Sequence, residues 1–276
     1  MNMRKLVVTL AALLLAAPVA WAATPYGEAT IEKGNITVMR EGKRLKFDQS
    51  NSPIEIHEGD LIRVRRKSQM VLTSREKATI TLGSNAVFQV KPWESRGKTG
   101  LSRVLFGKVR ASITGLTGGE RFNVKTATAT IGVKGTGYNT AVNPRGDSML
   151  VTTENVVQFG GQSGGDQDVG LNHLSVVVNG KAATAPVLVP EEVLNALSGT
   201  NLDSPEPNTP AASALPGEQA LVNAGIITSQ DAEEGKRNEA PAGDNGGLDD
   251  SDVDTDVGDE QENLDRAHIK VSFPVQ

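Results

Sequence analysis

The chain has 276 residues, no cysteine, 38% hydrophobic and 4% aromatic residues, and a formal net charge of −5. Without cysteine there are no disulfides, thiolate metal sites or cysteine nucleophiles, so the fold must rest on an apolar core, which a chain of this length can supply. Charge is split along the sequence: residues 23–160 carry 21 Lys+Arg against 12 Asp+Glu, whereas residues 203–276 carry 4 against 17, a basic body followed by an acidic tail.

Met1-Asn2-Met3-Arg4-Lys5 is a short basic leader, Leu6 to Ala20 is almost unbroken apolar sequence, and Ala20-Trp21-Ala22 places small residues where signal peptidase reads. Residues 1–22 therefore read as a signal peptide cut between Ala22 and Ala23, and the protein as periplasmic or secreted. The apolar run is shorter than the ~20 residues that span a bilayer, so no stable membrane insertion is expected. Export and the scarcity of aromatic residues both argue against nucleic acid as a partner.

From Ala29 to about Phe159 the chain reads as short strands rich in Val, Ile, Thr and Phe, among them "ITVM", "DLIRV", "MVLTS", "ATITLG", "AVFQV", "VRASI", "RFNVK" and "SMLVTT". Turn signals such as Glu58-Gly59-Asp60, Gly83-Ser84-Asn85 and Asn143-Pro144 separate them. No 3.6-residue period appears there. The pattern predicts an all-β domain of many short strands, either a sandwich or a β-solenoid-like coil, and no repeat of fixed length chooses between the two.

"GGQSGGDQDVG" (160–170) reads as a flexible loop, and "HLSVVVNGKAATAPVLVP" as one or two strands turning at Asn179-Gly180. Pro190 followed by "EEVLNALSG" predicts a short helix over 190–200. Residues 201–268 read as an acidic linker rich in Pro, Gly and Asp, mostly disordered, with a helix near 217–237; residues 269–276 read as a terminal strand.

"TATIGVKGTGYNTAV" (128–142) packs Gly132, Gly135 and Gly137 into six residues and invites a phosphate-loop reading. That reading fails: the third glycine of a dinucleotide fingerprint is missing, and "YNTAV" is a strand pattern rather than a helix. Gly97-Lys98-Thr99 has Pro92 where a P-loop needs glycine, and is expected at an exposed hairpin tip. Gly161-Gln162-Ser163-Gly164-Gly165 matches the nucleophile-elbow spacing, yet no helix follows Ser163. "DDSDVDTDVGDE" has Val257 where a calcium-binding EF-hand loop needs glycine and Asn263 where it needs glutamate; its clustered carboxylates suit at most weak, unspecific calcium binding. His57, His173 and His268 lack metal-ligand spacing. No catalytic residue, metal site or cofactor is expected.

Taken in order, "GNITVMREGK", "IHEGDLIRVRRKSQMVLTSREKATITLGSNAVFQVK", "LSRVLFGKVRASI", "FNVKTATATIGVKGTGYNTAV" and "SMLVTTENVVQF" resemble the FecR domain, the periplasmic module of the iron-citrate type of sigma-factor regulators. The resemblance covers about 34–160 within a β domain spanning 23–189. It marks Gly59-Asp60, Gly107 and Lys134-Gly135-Thr136 as family-pattern residues, structural or interacting. Lys134 stands where the family has Arg, which removes a planar hydrogen-bonding fork. Ala127 replaces a proline that often follows the threonine, and Asn155 a glycine that often precedes the last strand. A stand-alone exported module is implied, without the anti-sigma segment or transmembrane helix of the sigma regulators.

The expected function is therefore a non-enzymatic binding or sensing module of the bacterial envelope that contacts an envelope protein or glycan. Strand addition at an exposed edge is one mode. The alternative is a structural envelope protein that holds anionic polymers on a basic strand face. Strand alternation would place Arg63, Arg65 and Lys67 together on that face, with Arg66 opposed.

Overall fold

Alternating Val, Ile, Phe and Leu give nearly every strand one apolar face, and the computed structural model shows how those faces meet. It describes residues 24–75, 78–91, 99–114, 121–197, 202–207 and 209–237. The chain enters an upper layer with β1 (Pro25–Lys33) and drops to a lower layer for the hairpin of β2 (Asn35–Arg40) and β3 (Lys43–Asp48). It returns upward for β4 (Ile54–His57), descends for β5 (Leu61–Val64), and rises for the hairpin of β6 (Gln69–Ser74) and β7 (Ala78–Leu82). β8 (Val87–Val90) is lower, and β9 (Thr99–Ile113) belongs to both layers. Pairs then alternate: β10 (Arg121–Lys125) and β11 (Ala129–Val133) below, β12 (Gly137–Val142) and β13 (Ser148–Thr152) above. β14 (Val156–Gly161) and β15 (Gly164–Gly170) lie below, and β16 (His173–Val177) and β17 (Val187–Leu188) above.

The upper order is β4-β1-β6-β7-β9-β12-β13-β16-β17. The lower order is β3-β2-β5-β8-β9-β10-β11-β14-β15. Because β9 is shared, the 17 strands form one open sheet folded across itself. It is a sandwich in packing, yet its strands advance along the molecule almost in chain order, as in a solenoid. Both architectures expected from sequence thus describe part of it. All pairings are antiparallel except β9 with β10.

The fold line is Gly107. Phe106 pairs with Val87 in the lower layer, and Gly107 pairs with Val142 in the upper one. Its φ is +96°, and a Cβ there would stand 2.7 Å from the Ala86 Cα. Only glycine fits this corner.

Inward side chains of both layers fill one core, with Phe88, Phe122, Phe159, Tyr138, Ile62, Ile80 and Leu82 among its largest members. A second core lies on the outer side of the upper layer. There Ala141, Met149, Val151, Leu174 and Val176 meet Val193 and Leu197 of α1 (Glu191–Leu197), Leu215, Leu221 of α2 (Glu218–Asn223) and Ile227. β12 and β13 are consequently buried on both faces, which explains why their sequences lack clean alternation.

Two expectations are corrected here. Residues 160–170 are not a loop: Gln162-Ser163 turns a hairpin and residues 164–170 form the edge strand β15. A Cβ on Gly161 would come within 2.3 Å of the Lys181 oxygen, so its glycine serves close approach rather than flexibility. Residues 202–207 and 209–216, which composition reads as linker, are held down. Leu202 lies against Gly83, and Ser204 bonds the Ser84 oxygen (3.3 Å), the Asn85 amide (2.8 Å) and the Lys108 N–H (3.1 Å). α3 (Ser229–Arg237) follows, its start capped by reciprocal bonds between Thr228 and Asp231. Residues 238–276, with the acidic calcium-like run and the expected terminal strand, lie outside the described residues, as do residues 1–23 and 92–98.

Candidate functional site

The family-pattern residues sort by what they touch. Gly59 has φ +91°, and Asp60 beside it is fully buried. Its two carboxylate oxygens accept the Arg40 Nε (2.9 Å) and Nη2 (2.7 Å), and one also takes the His57 N–H at 2.9 Å. The bond from Asp60 leads the causes that raise the Arg40 pKa. Gly59-Asp60 is therefore a structural node that ties β2 to the β4–β5 turn. A second such node is Asp147, which accepts from Arg145, Asn143 and the Asn179 N–H. Sequence reading did not find it, since nothing local marks Asp147 as buried.

Lys134-Gly135-Thr136 is the passage from β11 below to β12 above. Gly135 has φ +78°, its oxygen accepts the Asn155 amide at 3.1 Å, and Thr136 is buried. Asn155, standing where the family often has glycine, adopts φ 54°, a left-handed conformation asparagine tolerates better than most residues. Gly137 closes the turn by accepting from Thr153 and Glu154. These glycines shape a crossover and offer no phosphate cradle. Ser163 sits in the β14–β15 hairpin and donates to the Gly180 oxygen at 2.6 Å, far from any nucleophile-elbow geometry.

The outer side of the lower layer faces solvent. Its half nearest the N-terminal strands is cationic. One cross-strand row reads Lys46, Thr37, Arg63, Val87, and the next reads Arg44, Met39, Leu61, Gln89, Arg103, Lys125. Burial and then the nearby Arg65 and Arg44 lower the Arg63 pKa, while Glu206 opposes them; burial and Arg103 lower that of Lys91. Arg65, just past the end of β5 at Val64, keeps the outward alternation, bonds the Asn35 oxygen through its N–H and lies near Arg63, whereas Lys67 occupies a turn with φ 55°. Arg66 reaches Glu206 at 3.7 Å, an exposed pair of little energetic weight.

The other half of this face holds a groove of about 390 Å³ lined by Asn123, Gly132, Lys134, Val156, Gln158 and Asp168. Of the family-pattern residues only Lys134 reaches it. The rest of the lining was missed because it comes from four strands. The one sequence hint is Gly132, a glycine inside an otherwise apolar strand pattern.

Among the described residues no group of three or more His, Asp or Glu could hold a metal, and no helix is long and apolar enough to cross a membrane. No curated protein sequence matches the chain. Two crystal structures of a "putative anti-sigma factor" from Parabacteroides distasonis, at 1.65 and 2.50 Å, align with it at 16% identity and a TM-score of 0.42. The alignments cover 49% of this chain and 63% or 62% of those, so it spans less than two thirds of their length. The family described as FecR protein matches residues 60–158, from the buried Asp60 to Gln158 in the groove. Residues 60–158, 99 of the 276 residues, are therefore similar to a FecR domain.

Proposed function

We propose that the chain is an exported, non-enzymatic sensing module of the bacterial envelope that engages an envelope protein or glycan through the outer face of its lower layer. The basic leader and apolar run of residues 1–20 support export. The observation that carries the surface assignment is an asymmetry between the two outer faces. On the upper layer, the face of β12, β13 and β16 is covered by the chain's own helices, whereas the corresponding lower face presents polar and cationic side chains.

The test is in-cell photo-crosslinking with the probe at Gln89 on the lower face and, as a control, at Thr79 on the upper face. A discrete partner trapped from Gln89 and not from Thr79 is expected. Adducts from Thr79 alone, or from neither, overturn the assignment.

A structural role with an anionic polymer is favoured by the cross-strand rows that place Lys46 with Arg63 and Arg44 with Arg103 and Lys125 on this face. In that case binding to purified lipopolysaccharide falls steeply with salt, because the screening length is about 8 Å at physiological ionic strength.

A further inference from the structure

Gly132 has no structural reason to be glycine. It lies in ordinary extended backbone in the middle of β11, and a Cβ there would meet nothing closer than the Gln158 Oε1 at 3.4 Å and the Asn123 Oδ1 at 3.6 Å. At three other positions glycine is forced: a Cβ would strike backbone at 2.2 Å at Gly27, 2.0 Å at Gly83 and 2.3 Å at Gly161. A strand-interior glycine forfeits roughly 0.5–1 kcal/mol relative to alanine. What it supplies at position 132 is space, the usual reason for glycine where a ligand approaches a sheet.

The space is lined by unused polar groups. Asn123, Gly132, Gln158 and Asp168 are successive partners in one cross-strand row, and Lys134 and Val156 stand beside it. The side chains of Asn123, Lys134, Gln158 and Asp168 make no hydrogen bond or ion pair with other described residues. Two amides, each both donor and acceptor, flank the gap at Gly132; one ammonium and one carboxylate offset each other; and Val156 is 52% exposed.

We propose that this groove is a carbohydrate subsite for an N-acetylhexosamine unit. The inference rests on the glycan form of the function proposed above. A polyanion is disfavoured because Asp168 offsets Lys134, and an added peptide strand needs a sheet edge rather than a face. An acetamido group suits the lining: its N–H and C=O pair with the Asn123 and Gln158 amides, and its methyl packs on Val156. Ring hydroxyls, which both donate and accept, suit Asp168 and Lys134. The groove is open and its size lies at the small-ligand end of the usual range. One ring held by a few hydrogen bonds should bind with Kd on the order of 1 mM.

The test is an NMR titration of the purified mature chain with N-acetylchitotriose, with maltotriose as the sugar lacking acetamido groups. The expected result is shifts at residues 123, 132, 158 and 168, with maltotriose at least about tenfold weaker, a factor worth about 1.4 kcal/mol. Gly132→Val, whose side chain fills the gap, should abolish the shifts without lowering the thermal midpoint. Should that variant not fold, Gln158→Ala on the exposed face should weaken binding at least about fivefold, the loss of a ~1 kcal/mol hydrogen bond. No shifts with N-acetylchitotriose, shifts centred elsewhere, binding retained in both variants, or equal binding of maltotriose would each overturn the subsite. The titration uses no cellular partner, so its failure is separable from failure of the crosslinking at Gln89.

Discussion

Single residues set the two most demanding points of this structure, the buried carboxylates and the left-handed turns. Asp60 loses its water on folding and recovers the cost through a bidentate bond to Arg40 and the His57 N–H. Arg40→Ala leaves that carboxylate with one donor, so it should cost about 3 kcal/mol, measured as a fall in the urea midpoint at unchanged m. A loss below about 1 kcal/mol would show the pair to behave as a surface contact. Sequence marked Gly59-Asp60 as important but not why, because Arg40 is 20 residues away and joins only once β2 is in place.

The decisive element is β9. It serves two layers because Gly107 turns the chain where Ala86 leaves no room for a Cβ. Gly107→Val adds that clash to a φ of +96° and should cost at least about 2 kcal/mol, with loss of cooperative thermal unfolding as the readout. Unchanged melting would mean the corner can relax. The helices are held more lightly. A hydrogen bond from Lys181 at 2.5 Å leads the effects that keep the Asp231 carboxyl below the usual range; burial opposes it, and Thr228 assists. A depressed folded-state pKa contributes stability above the unfolded value and loses it as pH falls through the folded one. Docking of α3 should therefore loosen below about pH 4, seen as faster amide exchange at residues 230–237, and Asp231→Asn should remove that dependence.

For the whole molecule, the segment after β17 completes the fold. Deleting residues 190–237 would uncover Ala141, Met149, Val151, Leu174 and Val176 on the upper face. The deleted protein should bind a hydrophobic dye and self-associate, because a patch of that kind does not stay exposed in a soluble chain. A monomeric, dye-silent deletion would show the β layers to be self-sufficient. The FecR match over 60–158 ends within this architecture rather than at its limits, since β1 to β4 and β15 to β17 complete both layers.

Sequence by itself determined the all-β class and most of the strands, because a strand with one buried face must alternate, as "DLIRV" and "AVFQV" do. It also disposed of the phosphate-loop reading, since a missing glycine and a following strand are local facts. It could not show that residues 164–170 pair as a strand, because a glycine-rich edge lacks the side chains that signal one. Nor could it show that residues 202–207 and 209–216 pack, because Pro and Ser read as linker until Gly83 and Ser84 meet them. The groove at Gly132 is the extreme case. Its lining comes from β10, β11, β14 and β15, and only the lower layer brings those strands into one row.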